Sequence, residues 1–277
     1  MQRLRNVLLV CVSALLCSCA KAPLTNGDTV SRTDTVDGRF GVVMLYDNVD
    51  VILRHCVGDH SPGSYRITTG KNLIDNIKVE NPVREINGKD SLMTDTVMIH
   101  NYNRLNWIRP YDYELKLELY YESISEIVFN SNGMLETDAI QGVAKGETTP
   151  KGDGKTDSGI IKLTVEGGSG DVKLRVNCFQ LDTEYAFGTA KVYLSGNSPI
   201  ANTNCGYDSH GPVDARGLWT NYHFIHHYGT NYVKAFAKHE ISAHNYNNGV
   251  IQYVVDTVLH LPETLDTSGM NIIPLMQ

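Results

Sequence analysis

Gly167–Leu174 reads GGSGDVKL: glycines, one acid, then two apolar residues separated by a lysine. A phosphate-binding loop would follow its glycines with lysine, then threonine or serine, and then a helix; neither follows here. The alternative is a turn that recurs. Used as a ruler, GSGDVKL from Gly168 is followed by GTAKVYL from Gly188, SHGPVDA from Ser209, GTNYVKA from Gly229 and NNGVIQY from Asn247. The intervals are 20, 21, 20 and 18 residues. An earlier copy, SNGMLET from Ser131, is set apart by an insertion.

Stacking the copies produces columns. The fifth position reads Leu135, Val172, Val192, Val213, Val233 and Ile251, and two residues on it reads Thr137, Leu174, Leu194, Ala215, Ala235 and Tyr253. Between them stand Glu136, Lys173, Tyr193, Asp214, Lys234 and Gln252. The third position is small: Gly133, Gly170, Ala190, Gly211, Asn231, Gly249. Alternation within a copy, with like residues between copies, is the pattern of strands stacked one above another. Glycine or asparagine at the corners is expected to supply positive φ. Parallel crossovers wind right-handed as a rule. The chain is therefore expected to be all-β, a right-handed single-stranded parallel β-helix (a β-solenoid) with irregular N-terminal β coils.

Working outward, FGVVMLYDNVDVILRH (Phe40–His55), SYRITTGKNLIDNIKVE (Ser64–Glu80) and YDYELKLELYY (Tyr111–Tyr121) are extended segments whose turns do not fall on the ruler. They are expected to form irregular first coils or a capping sheet. GVAKGETTPKGDGKTDS, residues 142–158, reads as a mobile loop inserted between coils. The expected organisation is residues 1–19 signal, 20–37 flexible tether, 38–141 N-terminal coils, 142–158 loop, 159–262 repeats and 263–277 C-terminal tail.

The N-terminus, MQRLRNVLLVCVSALLCSCAK, has a basic start at Arg3 and Arg5 and a short apolar core, Val7–Leu16. That core falls well short of the ~20 residues needed to span a bilayer, so it reads as an export signal. Leu16-Cys17-Ser18-Cys19 is similar to a bacterial lipobox, which makes Cys19 the expected lipidation site and the membrane the expected partner of that lipid. Of six cysteines, Cys56, Cys178 and Cys205 then remain, without zinc-type spacing. A Cys178–Cys205 disulfide is one option and buried free thiols the preferred one. The net charge of −7, with no basic run beyond the signal, argues against a nucleic-acid partner.

The chain of G-S-G-D-V turns resembles the head GIN domain of auto-transporter adhesins, a domain of Bacteroidetes lipoproteins without an assigned activity. The Phe40-Gly41-Val42 entry, Asn48-Val49-Asp50-Val51-Ile52-Leu53, Asn72-Leu73-Ile74 and the Tyr113–Leu119 strand carry the same resemblance. It spans about Phe40 to Pro262, and only Gly168–Val172 has the full turn motif. The resemblance implies a right-handed β-helix and a cell-envelope location, on the outer membrane at its cell surface or periplasmic face. It supplies no catalytic residues.

Chemistry is sparse. His226 and His244 fall three residues before consecutive turns and are weak candidates for a metal pair, although no carboxylate is clearly placed beside them. A ladder of half-exposed rings is the plainer reading. Asp182, Glu184, Asp208 and Asp214 lie on neighbouring coils where a glycosidase would need two carboxylates, yet Asn202-Thr203-Asn204 lacks the acid of a pectin-hydrolase motif. Arg175 and Arg216 are isolated, unlike the basic face of a lyase. No catalytic residue and no cofactor is assigned. Tyr185, Phe187, Tyr207, Tyr228, Tyr232 and Tyr246 gather near the turns; rings in stacked columns that simply stabilise one another are the plainer reading, and if the protein has a contact face for a glycan or a protein, it is expected here. The expected function is non-catalytic adhesion or binding; a polysaccharide-active enzyme and a periplasmic scaffold are the alternatives.

Overall fold

The computed structural model describes residues 25–56, 58, 60–86, 89–93, 95–104, 109, 113–141, 159–255 and 264–276. The signal segment with Cys19 and the 142–158 insertion lie outside the described residues. The N-terminal strands are β1 (Thr29–Thr35), β2 (Val42–Asp47), β3 (Asp50–His55), β4 (Ser64–Gly70) and β5 (Ile77–Glu80). A separate hairpin, β6 (Val83–Ile86) and β7 (Lys89–Leu92), precedes β8 (Thr96–Asn101) and β9 (Lys116–Tyr121). Then come β10 (Glu126–Ser131), β11 (Leu135–Thr137), β12 (Ile140–Gln141), β13 (Ile160–Gly168), β14 (Asp171–Asn177), β15 (Gln180–Gly188) and β16 (Lys191–Asn197). The chain continues through β17 (Ile200–Ser209), β18 (Val213–Trp219), β19 (Tyr222–His227), β20 (Tyr232–Ala235), β21 (Glu240–Asn245) and β22 (Val250–Val255). It closes on β23 (Thr264–Gly269) and β24 (Ile272–Met276).

These strands build two long, mostly parallel sheets. Sheet A runs β1-β4-β9-β3-β11-β14-β16-β18-β20-β22-β24, with β12 also on β14; sheet B runs β23-β21-β19-β17-β15-β13-β10-β2-β8-β5. From β13 onward the chain steps to the other sheet with each strand, and each coil stacks on the last, in register but for shifts after Tyr185 and Tyr193. The fold is all-β and solenoid-like. Its core is the space between the sheets, filled by every second side chain: in β14, Val172, Leu174 and Val176 are buried while Lys173, Arg175 and Asn177 face out.

The columns of the sequence are columns of the structure. Leu135 pairs with Val172, Val172 with Val192, Val192 with Val213, Val213 with Val233 and Val233 with Ile251, all fully buried. The small third position has a different cause from the expected one. Gly168 does turn at positive φ, 88°. Gly170 does not; a Cβ there would strike the carbonyl of Gly133 on the preceding coil. Close approach of stacked backbones, not left-handed conformation, excludes a large side chain at this position.

Three boundaries differ from expectation. Thr29–Thr35, placed in the 20–37 tether, is β1, antiparallel to β4. Residues 264–276, placed in the 263–277 tail, form one more coil: Leu265 pairs with Ile241 and Ile272 with Ile251. The third concerns β2 and β3, which do lie on the ruler. Asp47 pairs with Ser131 and Val51 with Leu135, so DNVDVIL is a copy of SNGMLET at a separation of 84 residues. The intervening chain makes the antiparallel cover β4–β5 and then a coil, β8–β9, that stacks on β2–β3 from the other side.

Candidate contact face

On sheet B the register sets Glu184, Asn204, His226, His244 and Ser268 in one outward row, and Asp182, Asn202, Phe224, Ser242 and Asp266 in the next. The carboxylates at the start of these rows are held by amides. Asp182 accepts from Gln180 at 2.9 Å and Asn202 at 2.6 Å, and Glu184 accepts from Asn204 at 3.4 Å. On sheet A, Asp214 is gripped by the Arg216 guanidinium at 2.8 and 2.6 Å, and that hydrogen bonding lowers its pKa. Such acids suit fixed surface charge better than proton transfer.

Further along sheet B the rows become aromatic. Tyr228 and Tyr246 each directly follow a strand, at equivalent places on successive coils, and their rings stack at 4.4 Å and 10°. Tyr207 leans on Tyr228 at 5.3 Å. His226 and His244 stack beside them at 5.3 Å, and the Tyr246 hydroxyl lies 3.5 Å from His226 Nδ1. The turns carrying this ladder are pinned from beneath. Buried His227 lies 2.7 Å from Asn231 Oδ1 and 3.1 Å from Asn245 Oδ1, while the amide nitrogens of those residues donate to the carbonyls of Gly211 and Gly249.

The expected contact residues therefore separate. Tyr207, Tyr228 and Tyr246 come together, whereas Phe187 and Tyr232 are exposed outside the stack, Tyr232 on sheet A. Tyr185 is corrected: it is fully buried. The alternation of β15 puts it in phase with Leu181 and Thr183, and the register shift after Tyr185 turns Phe187 outward instead. Its hydroxyl donates to Ala190 O at 2.7 Å and accepts from Gly211 N at 3.2 Å, and burial pushes its pKa up to about 12.

The two imidazoles do stand one coil apart, as the spacing indicated. Stacked rings send their nitrogens out side by side rather than toward one point. His244 also has Ser268 Oγ 2.6 Å from Nδ1 and Ser242 Oγ 3.2 Å from Nε2. Among the described residues no three His, Cys, Asp or Glu side chains are grouped to hold a metal ion. Cys178 and Cys205 are free, buried thiols, their pKa values raised by burial.

Two long sheets of coils with an 84-residue excursion near the start invite comparison with known families, and a profile described as "Putative auto-transporter adhesin, head GIN domain" matches residues 39–256. The chain belongs to this family. No curated protein sequence matches it. Among solved structures, a "putative adhesin" from Bacteroides fragilis superposes with a TM-score of 0.63 at 16% identity, over 89% of this chain and 96% of that one. A "putative lipid binding protein" from Parabacteroides distasonis gives 0.53 at 16% identity, over 91% and 98%. At such identities the likeness is one of fold. The GIN-domain fold thus extends through nearly all the described coils, an adhesin-like setting that points to a cell-envelope or surface protein. No described helix is long and apolar enough to cross a membrane.

Proposed function

We propose that this protein is a non-catalytic adhesion module, a right-handed β-helix held at the outer membrane by a lipid on Cys19. It would bind a protein partner along the Tyr207–Tyr228–Tyr246 ladder. The ladder itself carries this reading. With Tyr228 and Tyr246 face to face at 4.4 Å, one face of each ring is covered, and the pair presents ring edges and hydroxyls outward, flanked by His226 and His244. Sugars stack on ring faces. Ring edges with phenol hydroxyls are the surface that tyrosine-rich protein interfaces use, with rigid area at little entropic cost. The amide-held acids of sheet B support a binding role over hydrolysis.

The test is retention of cells displaying the full chain on immobilised extracellular-matrix proteins, alongside cells displaying Tyr228→Ala/Tyr246→Ala. A several-fold fall in retention with a preserved cooperative melt is expected. Equal retention removes the ladder from the adhesive surface. Protease shaving of intact cells tests the location: cleavage beyond Asp37 puts the solenoid outside, while protection until the outer membrane is permeabilised replaces adhesion with a periplasmic scaffold.

A further inference from the structure

Sheet A carries a second surface of different chemistry. Between Thr137 and Ile140 the strand pair β11–β12 breaks, and the gap opens a cleft of 590 Å³ lined by Glu136, Asp138, Asp171, Lys173, Arg175, Tyr193 and Ser195 among others. That volume lies within the range of small-ligand sites. Its floor is low for a reason of register: Arg175 lies opposite Ser195, which lies opposite Gly217, so the large side chains of the neighbouring rows stand above small ones.

The charges in the cleft do not all cancel internally. Asp138 is taken by Arg54 at 3.0 Å, and Glu136 stands 3.9 Å from Lys173. Arg175 is exposed, and its guanidinium meets no carboxylate among the described residues. Asp171 is likewise without an ion-pair partner among them. These two sit at opposite ends of one outward row on β14, Asp171-Lys173-Arg175, about 13 Å apart at ~3.3 Å per residue. Between them Tyr193 stands opposite Lys173, 40% exposed, with no other ring packed on it among the described residues. It is thus a ring on which no aromatic neighbour competes for a ligand.

We propose that this cleft binds an acidic sugar chain lying along β14. Arg175 takes a sugar carboxylate through its paired N–H groups, Tyr193 stacks on the apolar face of a ring, and Asp171 accepts from hydroxyls at the far end. A bare anion would have no use for Asp171, and a neutral sugar would leave Arg175 unpaired. This surface is separate from the ladder and does not depend on it.

Titration of the full chain with α-1,4-linked tetragalacturonate, followed by calorimetry and by the arginine side-chain resonances, tests the assignment. Binding should weaken about ten-fold or more in Arg175→Gln and in Tyr193→Ala, and to the same degree for the methyl-esterified tetramer. Tyr228→Ala should bind unchanged, which separates this site from the adhesive face. Both cleft side chains are exposed, so the variants are expected to melt like the parent. Absence of tetragalacturonate binding overturns the proposal, as does equal affinity for the ester or an unaffected Arg175→Gln. Tetraglutamate bound as tightly as the sugar acid would overturn the sugar assignment.

Discussion

His223 occupies an inward row of sheet B between Ala201 and Ile241, with no exposed surface. Its Nε2 is 3.0 Å from Thr203 Oγ1 and its Nδ1 3.3 Å from the carbonyl of Phe236, a pairing that suits a neutral ring donating to the carbonyl and accepting from the hydroxyl. Burial lowers its pKa to about 4. The unfolded chain, titrating near 6.5, then takes up a proton that the folded chain refuses. The stabilisation is complete above pH 6.5 and is lost as pH falls from there toward 4, amounting to about 3 kcal/mol over the whole span. Urea unfolding at pH 7.5 and pH 5 should show the parent losing roughly 2 kcal/mol more than His223→Leu. Equal losses would mean that the ring is not held neutral. His223, His226 and His227 crowd one short stretch of the sequence, which does not tell which of them are inside; β19 alternates His223 and His227 in with His226 out, and only the sheet phase decides that.

Elements differ in how plainly they could be read. β14 and β16 were legible because alternation and repetition agree: Val172 and Leu174 lie against Val192 and Leu194, residue for residue. β2 and β3 alternate as clearly, but Thr96, Lys116 and Glu126, the first residues of the strands beside them, stand far along the chain from Val42 and Asp50, so no local ruler could reach them. In β15 the spacing sets Tyr185 and Phe187 on one face and the structure parts them, because a register shift after Tyr185 leaves no mark in composition. Val192 tests the column directly. It is fully buried between Val172 and Val213, and an aspartate there would bury an unpaired charge with no room to turn outward. Val192→Asp should cost more than ~4 kcal/mol and abolish the cooperative melt. Its neighbour Tyr193, facing out, should tolerate the same change with little loss of stability. A normal melt for Val192→Asp would remove that column from the core.

At the scale of the whole molecule, each coil touches only the coils on either side, so stability is a sum of nearest-neighbour terms. The two ends are finished differently. Sheet A begins under the antiparallel strands β4 and β1, and sheet B under β5. At the other end β23 and β24 pair on one side only among the described residues, and every residue of β23 is exposed. Hydrogen exchange should therefore release the amides of β23 and β24 at least about a hundred-fold faster than those of β15, which is paired on both sides. Uniform protection from β13 to β24 would indicate that the terminal coil is covered in solution.

The sequence by itself determined the all-β class, the coil length of about 20 residues and which side chains of the sheet A columns face inward, because strand alternation and coil repetition are both local and periodic. The tertiary structure decided the coil contributed by β2 and β3, the burial of Tyr185, the stacking of Tyr228 on Tyr246 and the cleft beside Arg175. Each of these depends on which strand lies beside which, and at what offset. A slip of one residue exchanges inside for outside, and no short stretch of chain carries that information.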